Sequence, residues 1–277
     1  MNLNRDEVIK ANIQVHTKLS TVYNETEPHF YPENQQLVRK IIENLQQTTQ
    51  GKKMLDIGCG TGFILNLSHD LFDEIHGIDA TKAMLDKVNT RNNKIKLHEG
   101  IAEELPFANN SFDVVTGYSF LHHLFDVQPV IAETFRVLKE GGKAYFDLEP
   151  NKDFWLEIKK IESNQTQNYS PLMNKEIASV QSTADRIEQE HGIDKETFHK
   201  AEFIKDFKDG IDPKEFISMA KQIGFSDVQW EYYWYPGQGQ VIREKSPEMA
   251  REFDVLLKSL LPNSKYVYKY LRFYLTK

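Results

Sequence analysis

Three glycines and two acids carry the most specific chemical signal in this sequence. The stretch Met54-Leu55-Asp56-Ile57-Gly58-Cys59-Gly60-Thr61-Gly62 leads from a short apolar run into a glycine-rich turn. There a strand is expected to give way to a helix. Such a junction presents free backbone N–H groups and the positive end of a helix dipole to a ligand. Glycine at 58, 60 and 62 lets the backbone turn sharply and approach that ligand with no Cβ in between. Seventeen residues after Gly62, Asp79 closes the next apolar run, placed to accept hydrogen bonds from both hydroxyls of a ribose. The competing reading is a tight turn whose glycines serve packing alone. Turn, strand-ending acid and alternating elements together decide against it.

The spacing also narrows the ligand. A dinucleotide fingerprint reads G-x-G-x-x-G, whereas this turn reads G-x-G-x-G, and no G-x-x-x-x-G-K-[ST] phosphate loop occurs. Asp56 just before the turn would repel a pyrophosphate and suits an amino-acid ammonium instead. The site therefore prefers a nucleoside carrying a zwitterion over one carrying phosphates.

His122 and His123 follow the fourth apolar run, at the strand end where open α/β sheets bind ligands. A neutral imidazole there can act as a general base. The blander reading is preferred: one ring packs under the helix starting near Asp126 and the other hydrogen-bonds the backbone. Cys59, between the glycines, reads as a small filler rather than a nucleophile. The run Trp230, Tyr232, Tyr233, Trp234, Tyr235 is mostly sheet-packing material. Its end, Tyr235 before Pro236-Gly237, is expected to line a substrate pocket with Phe154, Trp155 and Tyr169. No cluster of ligand-type residues demands a metal.

The elements that must position these residues follow from the apolar pattern. The first 33 residues read as a loose segment. A helix is expected over 34–48, with Leu37, Ile41 and Leu45 on one face. Strands are expected at Met54–Ile57, Ile75–Ile78, Lys94–His98, Phe112–Thr116 and Lys143–Leu148. Helices are expected at Thr81–Val88 and Val127–Leu138, capped by Thr81 and Asp126 and broken by Gly141-Gly142. This alternation argues for parallel βαβ units. Residues 150–210 break the rhythm and read as an inserted helical cap. Asp212-Pro213-Lys214-Glu215 opens a further helix that Gly224 stops. An aromatic strand at Val228–Tyr235, a helix from Ser246-Pro247 and a last strand at Tyr266–Leu275 complete the chain.

Composition bounds the partners. The chain has 277 residues, 34 Lys or Arg against 41 Asp or Glu, a net charge of −7 and a single cysteine. The 150–210 insert carries a net −3, nine basic against twelve acidic residues. That leaves no basic footprint for a nucleic acid, so an apolar or aromatic small molecule is the expected partner. No run spans a bilayer, and the charged N-terminus does not read as a signal peptide. The expectation is a cytoplasmic protein.

The motif stretch resembles motif I of the class I S-adenosylmethionine-dependent methyltransferases. The wider pattern is similar to their small-molecule branch, which includes the ubiquinone and menaquinone methyltransferases. The resemblance covers about residues 35–149. It runs through Asp56 to Gly62, Asp79-Ala80-Thr81-Lys82-Ala83-Met84-Leu85, Glu103-Glu104-Leu105-Pro106-Phe107 and Ser111-Phe112-Asp113-Val114-Val115. It continues in Leu121-His122-His123-Leu124 and closes with Glu133-Thr134-Phe135-Arg136-Val137-Leu138-Lys139-Glu140-Gly141-Gly142. It implies an α/β, Rossmann-like doubly wound fold with a mainly parallel seven-stranded sheet plus the inserted cap.

Carried over by residue, the resemblance implies S-adenosylmethionine as cofactor. Asp56 and the backbone of Gly58, Cys59, Gly60, Thr61 and Gly62 would hold its methionine moiety, and Asp79 its ribose. Ala80 and Met84 would flank the adenine, and the Tyr118 carbonyl would meet the ammonium. Relatives commonly have Asp where this chain has Ile101, so Ala102 backbone or Glu103 must do the polar work there. Asp113 is expected to be structural. The N-terminal segment, which in similar enzymes folds over the cofactor, brings His16, Tyr23 and His29 as candidates to close the site. The implied activity is methylation of a small molecule at O, N or C. A cofactor-binding protein without methyl transfer is the rival reading. A nicotinamide-dependent dehydrogenase is disfavoured by glycine spacing and Asp56.

Overall fold

The computed structural model describes residues 3–163, 174, 177 and 183–277. Its centre is a seven-stranded sheet of order β3-β2-β1-β4-β5-β7-β6. The strands are β1 (Lys53–Ile57), β2 (Glu74–Asp79), β3 (Ile95–Glu99), β4 (Phe112–Tyr118), β5 (Leu138–Pro150), β6 (Asp227–Tyr233) and β7 (Tyr270–Thr276). The first five pair in parallel, and β7 runs antiparallel to both β5 and β6. Chain order reverses between β1 and β4, so the crevice at their C-terminal ends is the expected ligand position. All seven residues of β4 are buried, as a central strand covered on both faces requires. The doubly wound, mainly parallel fold is as the motifs implied.

The helices are α1 (Arg5–Leu19), α2 (Tyr23–Thr26), α3 (Pro32–Gln47), α4 (Phe63–Ser68), α5 (Lys82–Leu85), α6 (Gln128–Val137) and α7 (Lys152–Ser163). After them come α8 (Thr183–His191), α9 (Lys195–Ala201), α10 (Phe203–Phe207), α11 (Pro213–Ile223), α12 (Gln238–Glu244) and α13 (Pro247–Ser259). In α11, Asp212 caps the Lys214 and Glu215 amides and Gly224 ends the helix at φ 128°. The Ser246 hydroxyl caps α13.

Several expectations need correction. The first 33 residues are not loose. Asn4 and Glu7 form a reciprocal capping box that starts α1, and Val8, Ala11, Val15 and Leu19 give it one buried stripe. On α3 the buried stripe is Val38, Ile42 and Leu45, while Leu37 is 43% exposed. The helix meets the core one residue round from the Leu37/Ile41 face. The Thr81–Val88 helix shrinks to the single turn α5, where Thr81 makes no side-chain cap. Asp126 does bond the Gln128 amide, at 3.0 Å. Gly141-Gly142 lie within β5, which starts at Leu138. The last strand starts at Tyr270 rather than Tyr266, because residues 263–267 form a 3-10 turn.

Two packing units frame the crevice. Ala11, Val15 and Leu19 of α1 share a small core with Ala184, Ile187, Ile193, Phe198 and Ala201. Each fully buried aliphatic or aromatic side chain contributes roughly 1.5–3 kcal/mol, enough to seat α1 on α8 and α9. Lys18 Nζ also donates to Gly192 O at 2.7 Å. Below, Arg136 forks onto the carbonyls of Phe107 (2.6 Å) and Leu105 (2.9 Å) while pairing with Glu133. This pins the loop that follows Glu103. Asp113 accepts from the Lys53 amide and pairs with Lys139, both at 3.0 Å, a structural role as expected.

Candidate active site

The crevice holds an open-mouthed cavity walled by the turn after β1, the end of β2, the turn after β4 and α1. One wall is the glycine turn. Gly58 and Gly60 have φ of +64° and +51°, a region side-chain-bearing residues rarely adopt. A Cβ on Gly58 would meet the Phe120 ring at 2.2 Å, whereas one on Gly60 would find its first neighbour, Met84, at 3.6 Å. Both glycines line the cavity. The Gly60 position is thus a cradle that any side chain would fill.

Directly beside the turn stands Asp79. Its Oδ2 accepts from Gly60 N at 2.9 Å and its Oδ1 from Thr81 N at 2.8 Å. Burial pushes its carboxyl up, opposed by those two hydrogen bonds. Each carboxylate oxygen keeps a second lone pair for a ligand hydroxyl. Ala80, Met84, Ile101, Ala102 and Glu103 continue the wall. Tyr118 lies on the far side, its phenol oxygen accepting from Asn34 Nδ2 at 3.0 Å.

Other expected site residues stand behind this wall. Asp56 is 2% exposed, and its Oδ1 takes the Thr116 hydroxyl at 2.7 Å. Burial pushes its carboxyl up to about 8 against that bond. Cys59 is buried against Gly77, and burial raises its thiol well above the ordinary range, as a filler requires. The Thr61 hydroxyl bonds Asn24 of α2, and Gly62 caps α4 at φ +88°. These four support the turn rather than the cavity surface.

The substrate-side expectations split. His16 and Tyr23 line the cavity. His29 packs behind them against Phe63 and Tyr118, held neutral because burial lowers it to about 3. Phe154 is buried, Trp155 packs against the Lys205 ammonium, and the Tyr235 hydroxyl bonds Ala250 O. None of these three lines the cavity, because their rings pack against each other, Lys205 and the C-terminal helices instead. Tyr169 lies outside the described residues.

The sequence reading missed Asn12, Ser119 and Phe120, which also line the cavity. Asn12 Nδ2 donates to His123 O at 2.8 Å, tying α1 to the turn after β4. Its signal was the overlooked capping box of α1. Ser119 has φ +53°, a strained geometry common at functional sites and invisible in sequence.

The two histidines take different places. His123 is in the cavity wall, its ring 4.9 Å from that of His16 and perpendicular to it. His123 Nδ1 donates to Ala201 O at 2.8 Å, and His16 Nδ1 to Asn12 O at 2.9 Å. A carbonyl only accepts, so each ring keeps Nε2 as its acceptor atom. Burial, with His122 beside it, lowers His123 well below the usual range, so it is neutral. His122 is buried behind the wall, its Nδ1 2.9 Å from Glu149. His122, His123 and Glu202 bring ligand-type atoms within 4.8 Å of one another. Lys205 already bonds Glu202 and supplies a cation there.

Comparison with known proteins agrees with the motif reading. Residues 55–146 match the family model described as a methyltransferase domain. A probable S-adenosylmethionine-dependent methyltransferase of Mycolicibacterium smegmatis is 31% identical over 102 residues, covering 37% of this chain and 40% of that protein. The demethylmenaquinone methyltransferase of Listeria welshimeri is 35% identical over 130 residues, covering 43% and 55%. The phosphoethanolamine N-methyltransferase 2 of Haemonchus contortus, solved with S-adenosyl-L-methionine, superposes with a TM-score of 0.59 at 17% identity, over 99% of this chain and 59% of that one. The match to these curated relatives thus spans about half their length or less. Residues 55–146 thus match a methyltransferase domain and are similar to S-adenosylmethionine-dependent methyltransferases. No helix among the described residues is long and apolar enough to cross a membrane.

Proposed function

We propose that this protein is an S-adenosylmethionine-dependent methyltransferase acting on a small-molecule acceptor at O, N or C. The observation that carries it is the Gly58 and Gly60 turn joined to the half-buried Asp79 carboxylate in the wall of one cavity. When bound, S-adenosylmethionine supplies an electrophilic methyl group on a sulfonium. The residues present fit it. Asp79 has lone pairs for the ribose hydroxyls, Ala80, Met84 and Ile101 offer an apolar slot for adenine, and Ala102 N–H and Glu103 lie beside that slot. The turn backbone and the Tyr118 carbonyl are assigned the methionine moiety, with Asp56 holding the turn from behind.

The protein's own contribution is to align, to exclude water and to receive a proton. Asn12, His16 and Tyr23 close the cavity from the N-terminal side. His123, neutral and with Nε2 as acceptor, is placed to take the proton of an O–H or N–H group bound in the cavity. Rings of His16, Tyr23, His123 and Phe125 around the cavity favour a flat aromatic or apolar acceptor. The net charge of −7 weighs against nucleic acid. The proposal extends to the 150–210 segment as a cap that backs the His123 wall and to a cytoplasmic location, consistent with a composition holding one cysteine.

The test is calorimetry with S-adenosylmethionine, followed by methyl-labelled cofactor incubated with protein and a metabolite extract. Micromolar binding and a labelled small molecule are expected. Binding without label would favour a cofactor-binding protein, and no binding would overturn the proposal.

A further inference from the structure

Behind His123 a row of buried polar and charged side chains runs from the sheet to the cap, and the chemistry above leaves most of it unused. Glu149, at the end of β5, is fully buried. Its Oε1 accepts from the Phe120 and Leu121 amides at 2.9 and 2.8 Å. Its Oε2 accepts from the His122 amide at 3.1 Å and from His122 Nδ1 at 2.9 Å. Four hydrogen bonds on one carboxylate fix the turn after β4, far more than a surface acid makes. Across the ring, His122 Nε2 stands 3.8 Å from Glu202 Oε2. Glu202 joins α9 to α10 and also bonds Lys205, whose ammonium packs over the Trp155 and Phe198 rings.

The same cap segment reaches the other histidine. Ala201, one residue before Glu202, supplies the carbonyl that takes the His123 Nδ1 proton, and Glu202 Oε1 lies 3.7 Å from that nitrogen. The two imidazole centroids are 4.1 Å apart. We infer that Glu202, carried by the cap, is a positioning residue for His123: it clamps the His122 ring against Glu149, seats the Ala201 carbonyl on His123 Nδ1, and so leaves Nε2 as the proton acceptor of the cavity wall. This rests on reading His123 as that acceptor.

The electrostatics support the geometry. Burial lowers His122, but Glu149 and Glu202 outweigh it and leave the ring raised, against a small opposing push from Lys205. Burial lowers His123, the neighbouring His122 lowers it further, Glu202 raises it and His16 lowers it. Burial pushes Glu202 up, but Lys205, with His122 beside it, holds it well below the usual carboxylate range. His122 is raised and His123 lowered, so the two rings part in proton affinity, as a clamp beside a proton acceptor requires.

The test uses the full chain, Glu202→Gln, the double variant Glu202→Gln/Lys205→Met, and His122→Asn. The double variant removes both partners, so no buried ammonium is stranded if the single change folds poorly. Three readouts are taken: S-adenosylhomocysteine affinity by calorimetry, label transfer from methyl-labelled S-adenosylmethionine into a metabolite extract, and the histidine titrations by carbon NMR. Glu202→Gln and the double variant are expected to lose label transfer about tenfold or more while cofactor affinity holds within about twofold. The His123 titration is expected to rise in His122→Asn, where the titratable ring that lowers it is removed, and not to rise in Glu202→Gln, where the carboxylate that raises it is lost. Unchanged label transfer in both Glu202 variants would overturn the inference. So would a His123 that rises towards an ordinary imidazole in Glu202→Gln, because a merely loosened cap would do that. If the wild-type protein transfers no label, the methyltransferase proposal fails, and the titrations alone decide the positioning role.

Discussion

Asp79 Oδ2 lies 2.9 Å from the backbone nitrogen of Gly60. The strand-ending acid and the glycine turn, nineteen residues apart in sequence, are therefore one unit. With Thr81 N on the other oxygen, the carboxylate is oriented before any ligand arrives, which lowers the ordering cost of binding.

Asp79→Asn keeps the shape but sets an NH2 or a neutral oxygen against two backbone donors and the ribose hydroxyls. Hydrogen bonds to a charged group are worth about 1.5–3 kcal/mol each. S-adenosylhomocysteine affinity is expected to fall about 10- to 100-fold by calorimetry. Because burial raises Asp79, it takes up its proton at a higher pH than an ordinary carboxylate. Affinity of the wild-type protein should therefore fall as pH is lowered from neutral, and this dependence should vanish in Asp79→Asn. A loss below about threefold would place the ribose elsewhere.

Gly58 and Gly60 should separate stability from binding. An alanine at 58 combines positive φ with a contact 2.2 Å from Phe120, and such overpacking with strain costs about 2–5 kcal/mol. An alanine at 60 meets nothing closer than 3.6 Å, so only the φ cost of about 1–2 kcal/mol applies. Its methyl group, however, stands where the ligand would lie. Thermal unfolding should drop strongly for Gly58→Ala and mildly for Gly60→Ala, and calorimetry should show Gly60→Ala losing the cofactor while folded. Equal unfolding losses would contradict this division.

The cofactor half of the site was legible because its parts are local. A βα turn must place Gly58 and Gly60 at a strand end, and a parallel neighbour must bring Asp79 beside them. The acceptor half was not. Glu202 and Lys205 reach His122 from about eighty residues away, through cap helices whose docking no local pattern specifies. Phe154, Trp155 and Tyr235 were assigned to a pocket because an aromatic side chain looks the same in sequence whether it fills a core or lines a cleft. Helix α1 was readable from Asn4, Glu7 and the Val8/Ala11/Val15/Leu19 stripe. Reading the stretch as loose hid Asn12 with it.

Arg136→Lys tests the support of the wall beyond Glu103. The guanidinium bridges two carbonyls and a carboxylate at once, which a single ammonium cannot reproduce. The site is partly exposed, so the expected loss is modest, about 1–2 kcal/mol. That should lower the unfolding midpoint by several degrees with little change in cofactor affinity. An unchanged midpoint would show that the loop holds its place without the fork.

Asp56 makes folding stability itself depend on pH. Its carboxyl is raised to about 8 in the folded protein, chiefly by burial, against about 3.9 unfolded. Between those values the folded state binds more protons than the unfolded one, so stability falls as pH rises, by up to about 1.4 kcal/mol per unit. The contribution is fully present below the unfolded value and is lost as pH rises through the folded one. Asp56→Asn is uncharged at every pH and can still take the Thr116 hydroxyl. Denaturant unfolding of both proteins at pH 6 and pH 8 should show the wild type losing about 2 kcal/mol more than the variant over that interval. Equal losses would mean that Asp56 is ionised in the folded state at pH 6, which would require a cationic partner rather than the Thr116 hydroxyl alone.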